Sequence, residues 1–200
     1  MDAPASPHSP RRRTPERILA AALDHFNRFG EPQVSTHLIA SALRISSGNL
    51  HYHFHSKDDL ILALFERYEA DLRTTLPAGN TTDTRAALLD WLLALFRAHW
   101  QHRFLLRDLS GLLTRHLALE QRLPPLLADQ QAAIEQALHR LLPAGPDARA
   151  TAAALHLTLV HWIAHAFLQA PRSALEEGHA AAAEAALAQH LEGLLPAAIA

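Results

Sequence analysis

Apolar residues recur every three or four positions along most of this chain, which is the spacing of one face of an α-helix. The first run, Ile18 to Phe29, follows Thr14-Pro15-Glu16, a typical helix start, and ends at Gly30. The same spacing predicts further helices at about 35–43, 47–53, 56–76, 85–101, 104–115, 124–142, 147–170 and 173–195. No window alternates as a β-strand does. The sequence therefore predicts an all-α protein of about nine helices and no sheet.

One predicted helix is long enough to require a membrane test. No charged side chain lies between Arg149 and Arg172, and about 20 apolar residues can cross a bilayer. The stretch also holds His156, His161 and His165, whose imidazoles would be costly at mid-bilayer depth. A helix buried on all sides by protein, as core or as subunit interface, explains the stretch better, so no membrane partner is expected.

Composition excludes several classes of protein. Apolar residues make up 49% of the 200 residues and charged residues 19%, which predicts a folded chain rather than a disordered one. Cysteine is absent, which removes disulfides, thiolate catalysis and Cys-ligated zinc together. The first residues, MDAPASPHSPRRRTPER, contain no apolar run. No secretory signal is predicted, and the expected location is the cytoplasm.

Charge is distributed unevenly along the chain. Residues 1–57 carry seven Lys/Arg and four Asp/Glu, a net charge of +3, whereas residues 58–200 carry eleven and sixteen, a net charge of −5. A basic front on an acidic body favours one end that faces a polyanion. We predict a disordered basic arm (1–13), an N-terminal domain (14–57), and a larger C-terminal domain (58–200) that begins with a linking helix (58–76).

Two short predicted helices joined by a tight turn follow the long first helix. This order is typical of a three-helix helix-turn-helix domain, which places its second short helix in the major groove of DNA. The exposed positions of that helix are polar or aromatic, and asparagine and imidazole side chains can bond base edges. The predicted buried set is Ile39, Ala40, Leu43, Ile45, Leu50 and Phe54.

The stretch VSTHLIASALRISSGNLHYHFHSKDDL, residues 34–60, resembles the DNA-binding domain of the TetR family of bacterial regulators. The matching positions are Phe26, Gly30, Thr36, Ile39-Ala40, Ser46, Gly48, Leu50, His53-Phe54, Ser56-Lys57 and Leu60. The resemblance implies DNA contacts from Ser35, Thr36, His37, Ser47, Gly48, Asn49, His51, Tyr52, His53 and Lys57. Arg11, Arg12 and Arg13 are expected to reach a minor groove.

Two positions depart from the family pattern. Arg44 stands where the family commonly has a glycine in the turn, and His51 replaces the usual tyrosine. If the turn needs a positive φ, arginine costs on the order of 1 kcal/mol there.

The body resembles the family more loosely. The run HRFLLRDLSGLL, His102 to Leu113, is similar to a TetR subset that includes regulators of polyhydroxyalkanoate granule genes. That similarity implies a repressor released from its operator by a small apolar or acyl-CoA-like effector. The candidate ligand-binding residues are Trp91, Phe96, Trp100, Arg103, Phe104, Arg107, His161, Trp162 and His165. His161 and His165 lack a third ligand, so neither a metal nor another cofactor is predicted.

The last two predicted helices are too apolar to stand in water, and within the family such a pair forms a four-helix dimer interface. The predicted interface or core residues are Leu155, Leu159, Ile163, Phe167, Leu187 and Leu191. A homodimer is also needed mechanically, because two recognition helices on a two-fold axis read a palindrome about one helical turn apart. Effector binding would then tilt the fourth helix and move the two readers out of register.

Two other functions are compatible with a helical chain of this kind. One is a dimeric carrier of apolar ligands without DNA function, which the departures at Arg44 and His51 keep open. The other is an all-α enzyme, but no paired Glu-x-x-His, nucleophile elbow or phosphate loop is present. We therefore predict a regulator and not an enzyme.

Overall fold

A computed structural model of the protein describes residues 10–75, 83–142, 148–169, 179–197 and 199, the side chains of residues 10–13 excepted. Ten α-helices make up this part of the chain: α1 Pro10–Phe29, α2 Thr36–Ala42, α3 Ser47–His53, α4 Lys57–Thr75, α5 Arg85–Gln101, α6 Arg103–Arg107, α7 Leu109–Arg115, α8 Leu117–Leu141, α9 Ala148–Gln169 and α10 His179–Leu194. A 3-10 turn, Glu31–Gln33, separates α1 from α2, and no strand occurs among the described residues. The predicted all-α fold is confirmed.

The residues up to Leu64 form one compact unit. Its helices are α1, α2, α3 and the first two turns of α4, which bury Ile18, Ala22, Phe26, Ile39, Ala40, Leu50 and Leu60. α1 begins at Pro10, four residues before the predicted start at Thr14, so the backbone of Arg11–Arg13 is helical where the sequence suggested a disordered arm. Pro10 takes the first helical position, where a missing N–H costs nothing.

The residues from Phe65 onward form a second compact unit. It contains the rest of α4 and helices α5 to α10, and α9 packs against α5, α6, α8 and α10. The unit's core is aliphatic and aromatic, with Leu88, Leu92, Leu95, Phe104, Leu123, Ile134 and Leu155 among its buried residues. The division between the two units falls inside α4, between Leu64 and Phe65.

The predicted helix at 104–115 is in fact two short helices. α6 ends at Arg107 and α7 begins at Leu109, and Asp108 between them has φ −98° and ψ 18°, outside the helical range. Arg107 Nη2 lies 2.9 Å from Asp108 Oδ2. Aspartate is unfavourable in a helix interior, but the spacing of apolar residues on either side gives no sign of a break at this position.

The two prolines of α8 lie inside the helix rather than at its start. α8 begins at Leu117, well before Pro124 and Pro125. Each proline removes the N–H that would bond the carbonyl four residues earlier, here those of Glu120 and Gln121. Both prolines and both residues that carry the free carbonyls are exposed, so water can hydrogen-bond these carbonyls. The prediction that a proline opens this helix was wrong for that reason.

Helix α9, which carries no charged side chain after Arg149, has the length and composition of a membrane-crossing helix, but a core helix of a soluble protein has them as well. Its packing against four other helices supports the second interpretation. One side of α9 is exposed in the single chain, where Leu157 is 60% and Leu168 is 76% exposed, so only a subunit interface could bury the helix on that side. The predicted starts of the helices at residues 147 and 173 lie outside the described residues.

Candidate nucleic-acid interface and buried polar cluster

Serine caps start both short helices of the N-terminal unit. Ser35 Oγ accepts the N–H of Leu38 at 3.2 Å, and Ser46 Oγ accepts the N–H of Asn49 at 3.1 Å. Capping satisfies N–H groups that a helix N-terminus leaves free. Two helices of only seven residues each therefore have defined starts, as the sequence predicted.

α3 presents nearly all of its side chains to solvent. Leu50 is its one buried residue, whereas Tyr52 is 73% exposed and its ring lies 5.1 Å from that of His53. The other exposed residues of α3 are Ser47, Gly48, Asn49 and His51. A short helix held through one apolar side chain leaves a polar and aromatic surface for a partner.

Several of the predicted DNA-contacting residues lie together. His37 Nδ1 is 3.3 Å from Ser47 Oγ, which joins α2 to α3. Six predicted residues, Ser35, Thr36, Ser47, Gly48, His51 and Lys57, line one open groove of about 740 Å³. Asn49, Tyr52 and His53 lie on α3 outside this lining. The side chains of Arg11, Arg12 and Arg13 lie outside the described part of the chain.

The turn between α2 and α3 places Arg44 in the left-handed region, with φ 54°. The N–H of Arg44 bonds the carbonyl of Ser41 at 3.0 Å, and the N–H of Ile45 bonds that of Ala40 at 3.0 Å. These two bonds form a Schellman motif, whose left-handed position is usually glycine. The positive φ that the sequence comparison suggested for this turn is therefore present.

Arg44→Gly should stabilise the N-terminal unit. A left-handed residue with a Cβ costs about 1–2 kcal/mol, and the extra chain entropy of an unfolded glycine offsets about 0.5–1 kcal/mol of this. We expect a net gain of about 1 kcal/mol in the free energy of unfolding, measured by urea titration. Arg44→Ala is the control, because it removes the guanidinium and keeps the Cβ. Equal stabilities of the two variants would contradict the assignment of strain to φ.

Lys57, the chain's single lysine, is engaged inside the N-terminal unit. Its Nζ lies 2.7 Å from Glu31 Oε1 and donates to the Glu31 carbonyl at 2.6 Å, and it stands 5.9 Å from the Phe26 ring centroid. The Glu31 side chain is only 5% exposed. The ammonium thus neutralises a buried carboxylate, a role that the sequence pattern did not reveal.

The first turn of α4 is fixed by reciprocal capping. Ser56 Oγ accepts the N–H of Asp59 at 3.1 Å, while Asp59 Oδ2 accepts the N–H groups of Ser56 at 3.2 Å and His55 at 2.8 Å. This arrangement is a capping box with an acidic third position. Ser56 therefore caps α4, at the position where the sequence predicted this helix to begin.

The residues predicted to bind an effector have several different partners within the C-terminal unit. The indole N–H of Trp91 donates to the Thr75 carbonyl at 2.7 Å, and that of Trp162 donates to the Ala183 carbonyl at 3.0 Å. Phe96 and Phe104 are buried, Arg103 stacks on Trp100, Arg107 stacks on Phe167, and His161 and His165 are exposed on α9. Across the described residues there is no group of three His, Asp or Glu side chains suited to a metal ion.

The predicted dimer contacts are mostly core residues of a single protomer. Leu155, Leu159, Ile163, Leu187 and Leu191 are at most 3% exposed, so they have almost no surface left for a partner. Phe167 is half-buried. Because α9 is apolar on every side, spacing alone does not separate its bundle-facing side from its exposed side.

The C-terminal unit buries polar side chains that the sequence-based predictions did not include. Tyr68 and His99 are fully buried, with Tyr68 Oη 2.9 Å from His99 Nδ1. His102 is 1% exposed, and its Nε2 lies 2.7 Å from Asp71 Oδ2. Gln130 on α8 is likewise 1% exposed. Together with their neighbour His156, the residues Tyr68, His99, His102 and Gln130 are named the buried polar cluster.

The histidines of this cluster are held neutral. Burial, assisted by the neighbouring His156 and His102, lowers the pKa of His99 to about 3. Burial also lowers the pKa of His102, although Asp71 acts in the opposite direction, and burial together with His161 lowers that of His156. Burial raises the pKa of Tyr68. At neutral pH the cluster therefore carries hydrogen-bonding groups without charge.

A signal for one member of the cluster was available in the sequence. Gln130 stands four residues from Leu126 and four from Ile134, both buried, so it occupies a core position of an amphipathic helix. A polar residue at a core position is uncommon unless it has a partner. His99 gave a weaker signal, because histidine is common at half-buried positions.

Comparison with known proteins gives a consistent result for both units. A family model described as "Bacterial regulatory proteins, tetR family" matches residues 18–64, and one described as "Bacterial transcriptional repressor" matches residues 67–196. A TetR-family transcriptional regulator from Marinobacter aquaeolei VT8 is 27% identical, with TM-score 0.73 over 92% of this chain and 99% of that one.

Two more distant structures share the fold. A TetR transcriptional regulator from Chloroflexus aurantiacus J-10-FL is 21% identical, with TM-score 0.62 over 90% of this chain and 95% of that chain. A protein from Saccharomonospora viridis, solved in complex with choline, is 20% identical, with TM-score 0.68 over 91% and 95% of the two chains.

Proposed function

Since the chain belongs to the TetR family of bacterial transcriptional regulators, we propose that it is a cytoplasmic homodimeric repressor that leaves a palindromic operator when a small effector binds. The family places it among DNA-binding regulators and not among enzymes. The observation that carries the proposal is α3, which keeps one residue buried and exposes Asn49, His51 and Tyr52.

Gly48 adds independent support for an outside partner at α3. A Cβ at this position would meet nothing closer than Ser46 Oγ at 3.9 Å, so no neighbour in the chain requires a glycine. Glycine inside a helix costs about 1 kcal/mol relative to alanine. Close approach of a DNA backbone to α3 explains this choice.

Asn49→Ala tests the role of α3. Asparagine bonds an adenine edge through two hydrogen bonds, and losing such a pair costs about 1–3 kcal/mol. We expect operator affinity to fall by about 10-fold or more, measured by fluorescence anisotropy, while binding to a scrambled duplex stays nearly unchanged. Gln136→Ala, exposed on α8, is the control. Equal losses for operator and scrambled DNA would contradict base reading by Asn49.

The exposed surface of α9 and α10 supports the homodimer. These helices pack on each other, and their outer faces carry Leu157, Leu168 and a row of small residues, Ala181, Ala182, Ala185 and Ala186. Small residues permit close helix packing, and exposed leucines gain from burial by a second copy. The proposed interface therefore uses the side of α9 opposite to the leucines first predicted.

Leu157→Glu should separate the dimer. A two-fold interface receives the change twice, and each carboxylate would lose several kcal/mol of hydration without a partner. We expect the dimer Kd to rise at least about 100-fold, measured by sedimentation velocity. Leu117→Glu is the matched control, because Leu117 is 64% exposed and Leu157 is 60% exposed. Loss of dimer in both variants, or in neither, would contradict the assignment.

The effector is proposed to bind within the C-terminal unit. The similarity of residues 102–113 to regulators of polyhydroxyalkanoate granule genes favours a largely apolar, acyl-type molecule, and the choline complex of the Saccharomonospora viridis protein supports small-molecule binding by this fold. α4 contributes residues to both units, so a shift of α4 on effector binding would reach α2 and α3.

A further inference from the structure

We propose that Gln130 and His99 form the polar end of the effector site, reached between α4 and α8, and that this site takes a small neutral molecule bearing a hydroxyl or carboxamide group. This inference rests on the effector-binding part of the proposed function and adds the class of ligand. Its test is independent of DNA.

The first support is a set of hydrogen-bonding atoms with no partner. Within the described residues, His99 Nε2 and both side-chain polar atoms of Gln130 are buried without a hydrogen bond of good geometry, although Gln130 lies close enough to His99 to raise its pKa as a hydrogen-bonding neighbour, against the larger effect of burial. His156 Nε2 is in the same condition. Buried polar groups are nearly always satisfied in folded proteins, and leaving them unpaired is costly. Three such side chains next to one another indicate a place that a ligand completes.

The second support is a way in. A groove of about 510 Å³ is lined by residues of α4 and α8, and Gln130 is among them. Leu72 and Leu126 give it apolar walls. Glu69, also in the lining, is already bound by Arg122, whose Nε lies 3.2 Å from Glu69 Oε1. Gln130 is thus a buried polar group of the groove that remains open to a ligand, and the volume lies in the range of small-molecule sites.

The third support concerns charge. The groove is lined by two acidic residues, Glu69 and Asp129, and by two basic residues, Arg73 and Arg122. Both arginines form ion pairs with Glu69. His99 stays neutral down to about pH 3. Both arginines of the lining are therefore engaged with Glu69, and a carboxylate ligand would lose its hydration at the buried end of the groove without a free cation there to replace it.

The hydrogen-bonding pattern then gives the ligand group. The Tyr68 hydroxyl has His99 Nδ1 as its partner, and a buried hydroxyl that donates to Nδ1 leaves a proton on Nε2. His99 Nε2 is then a donor, while Gln130 offers one donor and one acceptor. A hydroxyl or carboxamide can accept from His99 and exchange bonds with Gln130 simultaneously.

The test uses the full chain and four probes of equal chain length: octanamide, 1-octanol, octanoate and octanoyl-CoA. We expect octanamide and 1-octanol in large excess over Kd to raise the Tm by about 5 °C, and octanoate to bind at least about 10-fold more weakly. Equal or tighter binding of octanoate or octanoyl-CoA would overturn the proposal, and so would the absence of a shift with all four probes.

Gln130→Leu separates a ligand role from a structural one. It removes two unsatisfied polar atoms, so the ligand-free Tm should rise by about 3 °C, while octanamide affinity falls about 10-fold. Gln130→Met, closer in shape, should repeat both effects, and Gln136→Leu on the exposed side of α8 should show neither. A lower ligand-free Tm for both Gln130 variants, or unchanged affinity, would contradict the proposal. If the chain bound octanamide but no operator DNA, the proposed repressor function would be contradicted, whereas the proposed ligand site would stand.

Discussion

Lys57→Met is expected to destabilise the N-terminal unit by about 3 kcal/mol, because removing one partner of a buried ion pair leaves an uncompensated charge. Glu31 is the carboxylate left behind, with a side chain that is 5% exposed. The measurement is hydrogen exchange resolved along the chain. Protection should fall in α1 and α2, whereas α8 should keep its protection, since the contacts of Lys57 with Glu31 and Phe26 lie within the N-terminal unit.

Two further variants make this result specific. Glu31→Gln combined with Lys57→Met removes both charges and should recover most of the loss, because replacing a whole buried pair is often nearly neutral. Arg28→Met is the matched control: its guanidinium is 57% exposed and 3.8 Å from Asp24, and such surface pairs contribute at most about 1 kcal/mol. If Lys57→Met were as mild as Arg28→Met, the buried-pair account would be wrong.

The C-terminal unit is expected to lose stability between pH 6.5 and pH 3. An unfolded histidine takes up a proton below about pH 6.5, whereas the pKa of folded His99 is about 3, so only the unfolded chain binds this proton in that window. The free energy of unfolding therefore rises with pH between pH 3 and pH 6.5, and His99 has no effect on it above pH 6.5. From the His99 pKa alone, we expect the free energy of unfolding to fall by about 2 kcal/mol from pH 7 to pH 5. The lowered pKa values of His102 and His156 act in the same direction.

Tryptophan fluorescence measures this loss selectively, because Trp91, Trp100 and Trp162 are the only tryptophans and all belong to the C-terminal unit. Urea titrations at pH 7, 6 and 5 should show the decline in the native chain and a shallower one in His99→Gln. His139→Gln, at an exposed position of α8, should follow the native chain. Equal slopes for His99→Gln and the native chain would show that His99 does not remain neutral when folded.

The helix-turn-helix was predictable because its signals are local. Ser35 and Ser46 cap the helices that begin directly after them, through bonds to N–H groups three residues along the chain. Arg44 likewise lies in the short turn between α2 and α3. Turn chemistry and capping depend on neighbours along the chain. The predicted bounds of α3 and α5 agree with the structure for the same reason.

The features that sequence patterns missed depend on distant neighbours. Pro124 and Pro125 lie inside α8 at exposed positions, and the two residues whose carbonyls lose a partner, Glu120 and Gln121, are exposed as well. Leu155 and Leu159 lie in the core because neighbouring helices of the bundle cover that side of α9. The pairing of Lys57 with Glu31 joins residues 26 positions apart. Helical periodicity identifies apolar sides but not which other helix covers each of them.

The most direct test of the account is fluorescence anisotropy of the native chain with labelled DNA from upstream of its own gene, beside a scrambled duplex of equal length, at two salt concentrations. The account predicts binding to the native fragment about 10³-fold or more tighter than to the scrambled one, and a preference that survives the higher salt. Equal, weak binding to both duplexes that disappears at higher salt would be purely electrostatic and would contradict sequence reading by α3 at that site.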